Sequence, residues 1–288
     1  MKKLTELFAE KQRTISFEFF PPRTEKGTAK LYETAEELAK VADFFNVTYG
    51  AGGSSSKATF EIVVELQKRF ALPVVHHFTC VQHTYDDIRG ALEQFKAADI
   101  RNILALLGDP PADNEDYKPG PDEPKFAYEL IKMIREHDDF FCIGAPGFPE
   151  GHPRTPTKKL DSEYLKVKQD AGAEVVFTQL FFDNNIYYEF RDRVRAEGVN
   201  MRLLPGMLTI TNYPKLIDFC NTCGATIPDF IRDTFEPIAD DLEETRKKGI
   251  ELAVRQCQDL WDNGTPGLHF YCLNKTEPVT TVYNALKL

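Results

Sequence analysis

Several polar side chains lie within runs of sequence that are otherwise apolar. Glu18 lies between phenylalanines in ISFEFFPPR, His77 lies in VVHHFTC, and Gln179 lies in EVVFTQLFF. An unpaired polar group is costly to bury, so each of these side chains is expected to be hydrogen-bonded or to face a ligand. A carboxyl group among aromatic rings holds its proton more tightly than in water, which suits Glu18 to general-acid chemistry. The alternative is a structural Glu18 that is neutralised by Arg23 or another buried base.

Two further candidates directly follow strand-like runs. Asp109 lies in LALLGDPP, where Gly108 permits a close approach of the backbone and two prolines stiffen the exit. The competing interpretation is an Asx turn whose carboxylate only satisfies local amide groups. His152 lies in PEGHPRT, where an exposed loop histidine is the simpler interpretation. His76 and His77 are adjacent in a predicted strand, so at most one of them points inward.

Two short motifs are weak signals of binding. The segment GAGGSSS, residues 50–56, could hold an anion with its backbone amides, but it is neither a P-loop nor a complete dinucleotide fingerprint. A flexible loop is an equally good interpretation. Cys220 and Cys223 form a lone C-x-x-C with no second pair or nearby histidine, which favours structural thiols over a redox or zinc site. No histidine and carboxylate spacing typical of a metal centre occurs, so we expect no catalytic metal.

The elements that position these residues are indicated by recurrent β-branched and aromatic runs. Eight such runs begin at Ile15, Phe44, Val74, Asn102, Phe141, Glu174, Arg202 and Gly267. Amphipathic patterns with the helical period of about 3.6 residues fill the intervals between them. Thr84 and Asp87 form a capping-box pattern before one predicted helix. The last interval is the longest and holds several predicted helices, of which the longest runs from about residue 240 to about residue 262.

Eight alternating strand–helix units predict a single (β/α)8 TIM barrel, with extra helices before the last strand. An open doubly wound sheet is the alternative, but the glycine-rich turn typical of that fold does not follow the first predicted strand. Reactive groups of such barrels lie at the C-terminal ends of the strands and in the loops that follow. The residues at those ends are Glu18, Tyr49, His77, Thr79, Asp109, His152, Gln179 and Tyr271.

Composition and charge limit the classes of protein to which this chain can belong. The 288 residues are 42% hydrophobic and 28% charged, as in ordinary globular proteins, and the formal net charge is −10. No basic stripe stands out, so neither nucleic acid nor an anionic membrane is an expected partner. The sequence has no apolar run long enough for a membrane helix and no apolar leader segment. We therefore expect a cytoplasmic protein with reduced cysteines.

The motifs also occur in a specific order: ISFEFFPPR, NVTYGAGGS, HHFTC, LALLGDPP, PEGHP, DAGA with TQLFFD, LLPGMLTITNY and LHFYCLN. This ordered set, from about Ile15 to Asn274, resembles the methylenetetrahydrofolate reductase family in its short bacterial catalytic form. The resemblance implies a barrel that binds FAD non-covalently without a Rossmann motif. It also implies that NAD(P)H, expected to be NADH, and methylenetetrahydrofolate use one flavin face in turn. The implied product is 5-methyltetrahydrofolate, for one-carbon metabolism and methionine biosynthesis.

Residue roles are implied by the same resemblance. Glu18 matches the family acid that helps to open the folate imidazolidine ring, and Asp109 matches an aspartate near both flavin and pterin. The positions that contact folate or the reductant are matched by Gln179, Phe219, Tyr271 and Lys275. The positions that line the flavin are matched by Thr48, Tyr49, His77, Leu106, Gly108, Asp109, Phe126, Ala127, Phe148, His152, Asp161 and Lys168.

The chain departs from the family pattern at four positions. Leu107 stands where an arginine is frequent, Tyr164 and Val167 replace polar or basic contacts, and Lys275 replaces a common arginine whose bidentate fork lysine lacks. From the resemblance we expect one domain over residues 1–288, no C-terminal regulatory domain and a homo-oligomer. Two alternatives remain open: another barrel with a carboxylate acid, such as an aldolase or a glycosidase, and a non-catalytic carrier of flavin or folate. A Schiff-base aldolase would need a lysine at a strand end, and none of the eight runs carries one there.

Overall fold

The barrel architecture is clear in the computed structural model, which describes residues 1–49, 56–110, 114 and 116–287. Eight parallel strands in these residues form a closed barrel in chain order, with the last strand paired to the first. The strands are β1 (Thr14–Phe19), β2 (Phe44–Val47), β3 (Val74–Thr79), β4 (Asn102–Leu106), β5 (Cys142–Gly147), β6 (Val175–Leu180), β7 (Arg202–Met207) and β8 (Gly267–Tyr271). The predicted TIM barrel is therefore confirmed, and the open sheet is wrong.

Helices follow the strands and cover the outside of the barrel. They are α1 (Leu4–Glu10), α2 (Glu25–Leu38), α3 (Ser56–Phe70), α4 (Tyr85–Ala97), α5 (Ala127–His137), α6 (Lys158–Asp170), α7 (Asn184–Ala196), α8 (Tyr213–Cys223), α9 (Asp229–Phe235), α10 (Leu242–Asp262) and α11 (Glu277–Ala285). A 3-10 turn, Glu236–Ile238, links α9 to α10. The extra helices before the last strand are therefore confirmed.

Local sequence signals explain the ends of several helices. The Thr84 hydroxyl accepts a hydrogen bond from the Asp87 amide at 3.1 Å, and the Asp87 carboxylate accepts one from the Thr84 amide at 2.9 Å, so the predicted capping box is confirmed. Gly224 ends α8 in the left-handed conformation at φ +74°. Helix α6 begins at Lys158, because the Thr157 side chain accepts a hydrogen bond from the Leu160 amide and caps the helix.

Strand alternation divides the barrel into an outer apolar layer and an inner column. Outward side chains of β1, such as Phe17 and Phe19, pack in the main core between the barrel and the helices. Inward side chains at the N-terminal end form a separate apolar cluster that includes Phe44, Leu104 and Phe177. Helix α1, which the sequence analysis did not predict, closes this end with Leu4. The base of the barrel is therefore largely apolar, apart from Asn102, whose side-chain oxygen accepts a 2.7 Å hydrogen bond from the Leu4 amide.

Candidate active site

A buried carboxyl group lies between two histidines inside the barrel. Glu18 on β1 is 6% exposed, and its Oε2 lies 3.2 Å from Nε2 of His269 and 3.4 Å from Nε2 of His77. The Nδ2 of Asn46 lies 3.4 Å from the same nitrogen of His77. The bases beside Glu18 are thus two imidazoles rather than Arg23, which is exposed. The structure therefore places two histidines, and not Arg23, beside Glu18.

The hydrogen bonds around Glu18 allow its carboxyl group to exist with or without a proton. Nδ1 of His269 lies 2.9 Å from the hydroxyl oxygen of Ser16. A hydroxyl both donates and accepts, so Ser16 is compatible with either tautomer of His269. One tautomer presents an acceptor nitrogen to a protonated Glu18, and the other presents an N–H to the carboxylate.

The second histidine of this cluster is neutral at physiological pH. Burial lowers the pKa of His77 to about 4, although the neighbouring Glu18 opposes this shift. His77 faces inward, whereas His76 points outward against Phe95, with ring centroids 4.4 Å apart. The prediction that at most one of these two histidines points inward is therefore confirmed.

A tyrosine adjoins Glu18 from the neighbouring strand. Tyr271 of β8 is in register with Glu18 of β1, and its hydroxyl donates a 2.6 Å hydrogen bond to the carbonyl of Thr178. Burial and the nearby Glu18 raise the pKa of Tyr271 well above its usual range, so the hydroxyl keeps its proton. Gly206 allows this contact, because a Cβ at that position would lie 2.6 Å from the Tyr271 hydroxyl oxygen.

The side chain of Gln179 lies where the strand pairing is irregular. The register between β6 and β7 shifts between Phe177 and Leu180, next to this residue. Such an irregularity changes the direction of a side chain at the end of a strand. The Gln179 side-chain oxygen accepts a hydrogen bond from the Leu180 amide at 2.9 Å. Its amide nitrogen has no such local partner among the described residues and can donate to a ligand.

Phe219 and Lys275 lie on the same side of the mouth. Phe219, in α8, and Tyr271 both pack against a second apolar cluster, which includes Leu180, Leu208 and Tyr213. Lys275, in the loop after β8, is exposed, and both residues line one large groove. The predicted substrate positions therefore lie on the ends of β6 and β8 and on the neighbouring helix α8.

The opposite side of the mouth is formed by the ends of β2 to β5. Gly108 adopts φ +90°, and a Cβ there would lie 2.5 Å from a methyl carbon of Val81, so the turn before Asp109 requires glycine. The Asp109 side chain is 92% exposed and lies 3.8 Å from the guanidinium of Arg154. Asp109 is therefore an open carboxylate beside a cation, and it is not part of the Glu18 cluster.

A half-buried lysine, Lys168, and a buried aspartate, Asp161, follow β5. The amine of Lys168 donates a long hydrogen bond, 3.4 Å, to the carbonyl of Pro146. Burial lowers the pKa of Lys168, with Asp161 opposing the shift, and burial also raises the pKa of Asp161, with Lys168 opposing. His152 lies nearby, and its ring meets that of Phe148 edge-on at a centroid distance of 4.6 Å. Lys168 is thus a weakly compensated cation that an anionic group would stabilise.

The other predicted flavin positions surround this side of the mouth. Thr48 and Tyr49 follow β2, where the Tyr49 hydroxyl lies 3.4 Å from Nε2 of His83. Leu106 ends β4, and Ala127 begins α5. Phe126 precedes α5 with 55% of its surface exposed and stacks on Tyr128 at 5.8 Å. An exposed aromatic pair, a weakly compensated lysine and a glycine turn fit a large planar ligand with an anionic tail such as FAD.

Two motifs from the sequence remain, the GAGGSSS segment and the C-x-x-C pair. Residues 50–55 of the GAGGSSS segment lie outside the described residues, so its proposed anion binding stays a prediction. Burial raises the pKa of Cys220 to about 12 and also raises that of Cys223, which keeps both thiols protonated at neutral pH. Among the described residues no three His, Cys, Asp or Glu side chains cluster as a metal site would require. No helix in the same residues is both long and apolar enough to span a bilayer.

Sequence reasoning missed three members of the Glu18 cluster: His269, Asn46 and Ser16. Each of them lies two residues before a residue that was identified, respectively Tyr271, Thr48 and Glu18. Side chains two apart in a strand share one face, so alternation was the signal that could have found them.

Comparisons with known proteins agree with this geometry. A family model described as methylenetetrahydrofolate reductase matches residues 3–287. The Escherichia coli 5,10-methylenetetrahydrofolate reductase is 33% identical over 268 residues, which cover 92% of this chain and 88% of that protein. The Arabidopsis thaliana methylenetetrahydrofolate reductase (NADH) 1 is 35% identical over 94% of this chain, and the chain spans 48%, about half, of that relative's length.

A solved structure supports the fold independently. An uncharacterized Clostridium thermocellum protein, described as binding two copies of 5-methyl-5,6,7,8-tetrahydrofolic acid, superposes with a TM-score of 0.70 over 99% of this chain and 98% of that one. Its sequence identity is 13%, so this likeness concerns the fold alone. The family match over nearly the whole chain and the E. coli relative together establish the relationship that the ordered motifs indicated. The chain belongs to the methylenetetrahydrofolate reductase family.

Proposed function

We propose that this chain reduces 5,10-methylenetetrahydrofolate to 5-methyltetrahydrofolate with FAD as cofactor and a nicotinamide reductant, NADH in preference to NADPH. Family membership supports the reaction, and the NADH-named plant relative supports the reductant. The product would serve as a methyl donor for methionine biosynthesis. The observation that carries the proposal is a buried carboxyl group, Glu18, held between His77 and His269 at the mouth of the barrel.

The chemistry of the substrate requires such a group. The methylene carbon of the folate bridges two amine nitrogens in a five-membered ring. One carbon–nitrogen bond must break before this carbon can accept a hydride, and the leaving nitrogen takes up a proton. Glu18 is the proposed donor, and His269 with Ser16 is proposed to hold its proton in place before transfer.

The opposite side of the mouth is proposed to hold FAD. When bound, FAD supplies the chemistry that takes a hydride from the nicotinamide and delivers it to the folate. Lys168 is proposed to pair with a phosphate, because its amine is partly buried and has only a long hydrogen bond in the protein. The remaining proposed flavin contacts are Thr48, Tyr49, His77, Leu106, Gly108, Asp109, Phe126, Ala127, Phe148, His152 and Asp161.

The substrates are proposed to bind on the side formed by β6, β8 and α8. Gln179 has an amide nitrogen available for hydrogen bonding, and Phe219 offers an aromatic surface for stacking on either reactant. Tyr271 lies next to Glu18, and its hydroxyl donates a hydrogen bond to the carbonyl of Thr178. Tyr271 is therefore proposed to position a reactant and not to transfer a proton. Lys275 is an exposed cation suited to a carboxylate or phosphate of either reactant.

A spectroscopic experiment separates this function from the two alternatives. The purified protein should be yellow, NADH under nitrogen should bleach it, and methylenetetrahydrofolate should restore the colour. A colourless protein that fails to bind added FAD would favour another barrel enzyme with a carboxylate acid. A yellow protein that NADH bleaches but that no folate reoxidises would favour a flavin carrier.

We also propose that the protein is a cytoplasmic homo-oligomer. Reduced thiols support the compartment, since the six cysteines are all free in the structure. Exposed large apolar side chains support association, among them Phe230, which is 44% exposed. Sedimentation equilibrium tests the second point, and a monomer at micromolar concentration would refute it.

A further inference from the structure

The pairing of β6 with β7 contains an extra residue on the β6 side. The register shifts between Phe177 and Leu180, so that Thr178 and Gln179 together lie opposite Pro205. An extra residue of this kind bends a strand and redirects the side chains beside it. Proline has no amide hydrogen, so Pro205 cannot donate the hydrogen bond that a regular pairing would place here. The direction of Gln179 at the mouth of the barrel therefore depends on how this irregularity is held.

The hydroxyl group of Thr178 joins the two strands at this point. It accepts a 2.9 Å hydrogen bond from the amide of Gly206 and donates one, also of 2.9 Å, to the carbonyl of Gln179. A hydroxyl can donate and accept at once, so one side chain serves both strands. Thr178 is 0% exposed, and a buried amide that loses its acceptor is costly. The hydroxyl therefore stabilises the irregular register.

A third strand is bonded to the same residue. The carbonyl of Thr178 accepts a 2.6 Å hydrogen bond from the hydroxyl of Tyr271 in β8. Gly206 permits this arrangement, because a Cβ there would lie 2.3 Å from the Thr178 carbonyl oxygen and 2.6 Å from the Tyr271 hydroxyl oxygen. Thr178 thus connects β6, β7 and β8 directly beside Gln179.

These contacts fix Gln179 at both its backbone and its side chain. The Thr178 hydroxyl bonds the Gln179 carbonyl, and the Leu180 amide donates to the side-chain oxygen of Gln179 at 2.9 Å. With that oxygen engaged, the amide nitrogen of this half-buried side chain is left to donate to a ligand. A slip of the pairing by one residue would turn Gln179 to the other face of the sheet.

We propose that Thr178 is a positioning residue for the reaction, and that its hydroxyl sets the direction in which the Gln179 amide meets the reactants. Thr178 is fully buried and acts through Gln179 without touching a reactant. This inference rests on the proposed function, because it requires Gln179 to bind the folate. Loss of the hydroxyl should therefore weaken binding of the folate as loss of the Gln179 amide does.

The test measures the dissociation constant of 5-methyltetrahydrofolate by calorimetry on the FAD-loaded protein. One neutral hydrogen bond is worth roughly two- to twelvefold in affinity, so Thr178→Val should weaken binding by about fivefold. Thr178→Ser keeps the hydroxyl and should bind within about twofold of the unaltered protein. The matched control is Thr265→Val, because Thr265 is 4% exposed and shares a 3.3 Å hydrogen bond with Tyr187, but lies just before β8 at the opposite end of the barrel. This control should leave the dissociation constant unchanged.

A double-mutant cycle distinguishes positioning from a general structural role. In the Gln179→Leu background, Thr178→Val should weaken binding no further, because the amide that Thr178 directs is already absent. Thr178→Ala completes the same cycle if Thr178→Val does not fold.

Two results would overturn the inference while the proposed function stands. One is an unchanged dissociation constant in folded Thr178→Val, and the other is the full loss of affinity persisting in the Gln179→Leu background. An unaltered protein that binds neither 5-methyltetrahydrofolate nor NADH would instead overturn the proposed function together with this inference.

Discussion

Replacing Lys168 with methionine tests the proposed FAD site, because the positive charge of Lys168 has few partners within the protein. The Lys168 amine has one long hydrogen bond, 3.4 Å, to Pro146, and burial lowers the pKa of this lysine. A folded-state pKa below the unfolded value means that the charge costs stability at neutral pH, a cost that disappears as the pH rises toward about 10.4. Lys168→Met removes this cost but leaves Asp161 buried without its cation. The two effects oppose each other, so the melting temperature of the apoprotein should change little.

The affinity for FAD should change much more. A hydrogen bond to a charged group contributes about 1.5–3 kcal/mol, which corresponds to a loss of about 10- to 150-fold in affinity. Flavin fluorescence during titration of the apoprotein measures this loss. Lys159→Met is the control, because Lys159 lies on the same helix but is 75% exposed and pairs with Glu163 at 3.6 Å. Unchanged FAD affinity in Lys168→Met would remove this residue from the site and refute the reasoning.

Three further predictions concern other parts of the structure. Burial lowers the pKa of His76 to about 3, so the contribution of this histidine to the free energy of unfolding is complete above pH 6.5 and is lost as the pH falls toward 3. The free energy of unfolding of the unaltered protein should therefore decrease between pH 7.5 and pH 5, and His76→Leu should make that decrease smaller by about 2 kcal/mol. Urea unfolding at the two pH values measures this difference. Gly206→Ala should displace Tyr271, lower the free energy of unfolding by about 1–3 kcal/mol and reduce the rate of folate reduction. An unchanged melting temperature would contradict the close approach of the Tyr271 hydroxyl to Gly206. Asp109→Asn should raise the midpoint potential of bound flavin, because a carboxylate near the flavin opposes the negative charge that reduction adds. The same change should weaken folate binding. Potentiometry and folate titration test the two effects, and no change in either would place Asp109 outside the site.

The eight strands were predictable because each is a short apolar run that is followed by a segment with a helical pattern. Buried strands of a parallel barrel need β-branched or aromatic residues on the outer face, and that requirement is visible in sequence. Helix α1 was not predictable in the same way, since its seven residues are too few for a periodic pattern. Its role depends on Leu4 entering the base of the barrel, which is a tertiary contact.

The site was predictable residue by residue but not as an arrangement. Glu18 stood out as a carboxylate among phenylalanines, yet its partners His77 and His269 come from β3 and β8 and meet it only because the barrel closes. The position of Asp109 beside Arg154 likewise depends on two loops that are distant in sequence.

The most direct test of the account is the separate measurement of the two half-reactions in Glu18→Gln. Glutamine keeps the shape and hydrogen bonding of the side chain but has no acidic proton to give. Reduction of the flavin by NADH needs no protein acid and should proceed at nearly the unaltered rate, with flavin content unchanged. Reoxidation by methylenetetrahydrofolate should slow by at least roughly a hundredfold, the low end of what general-acid catalysis contributes. Equal slowing of both half-reactions in stopped-flow experiments, or an undiminished folate half-reaction, would contradict the assignment of Glu18 as the acid.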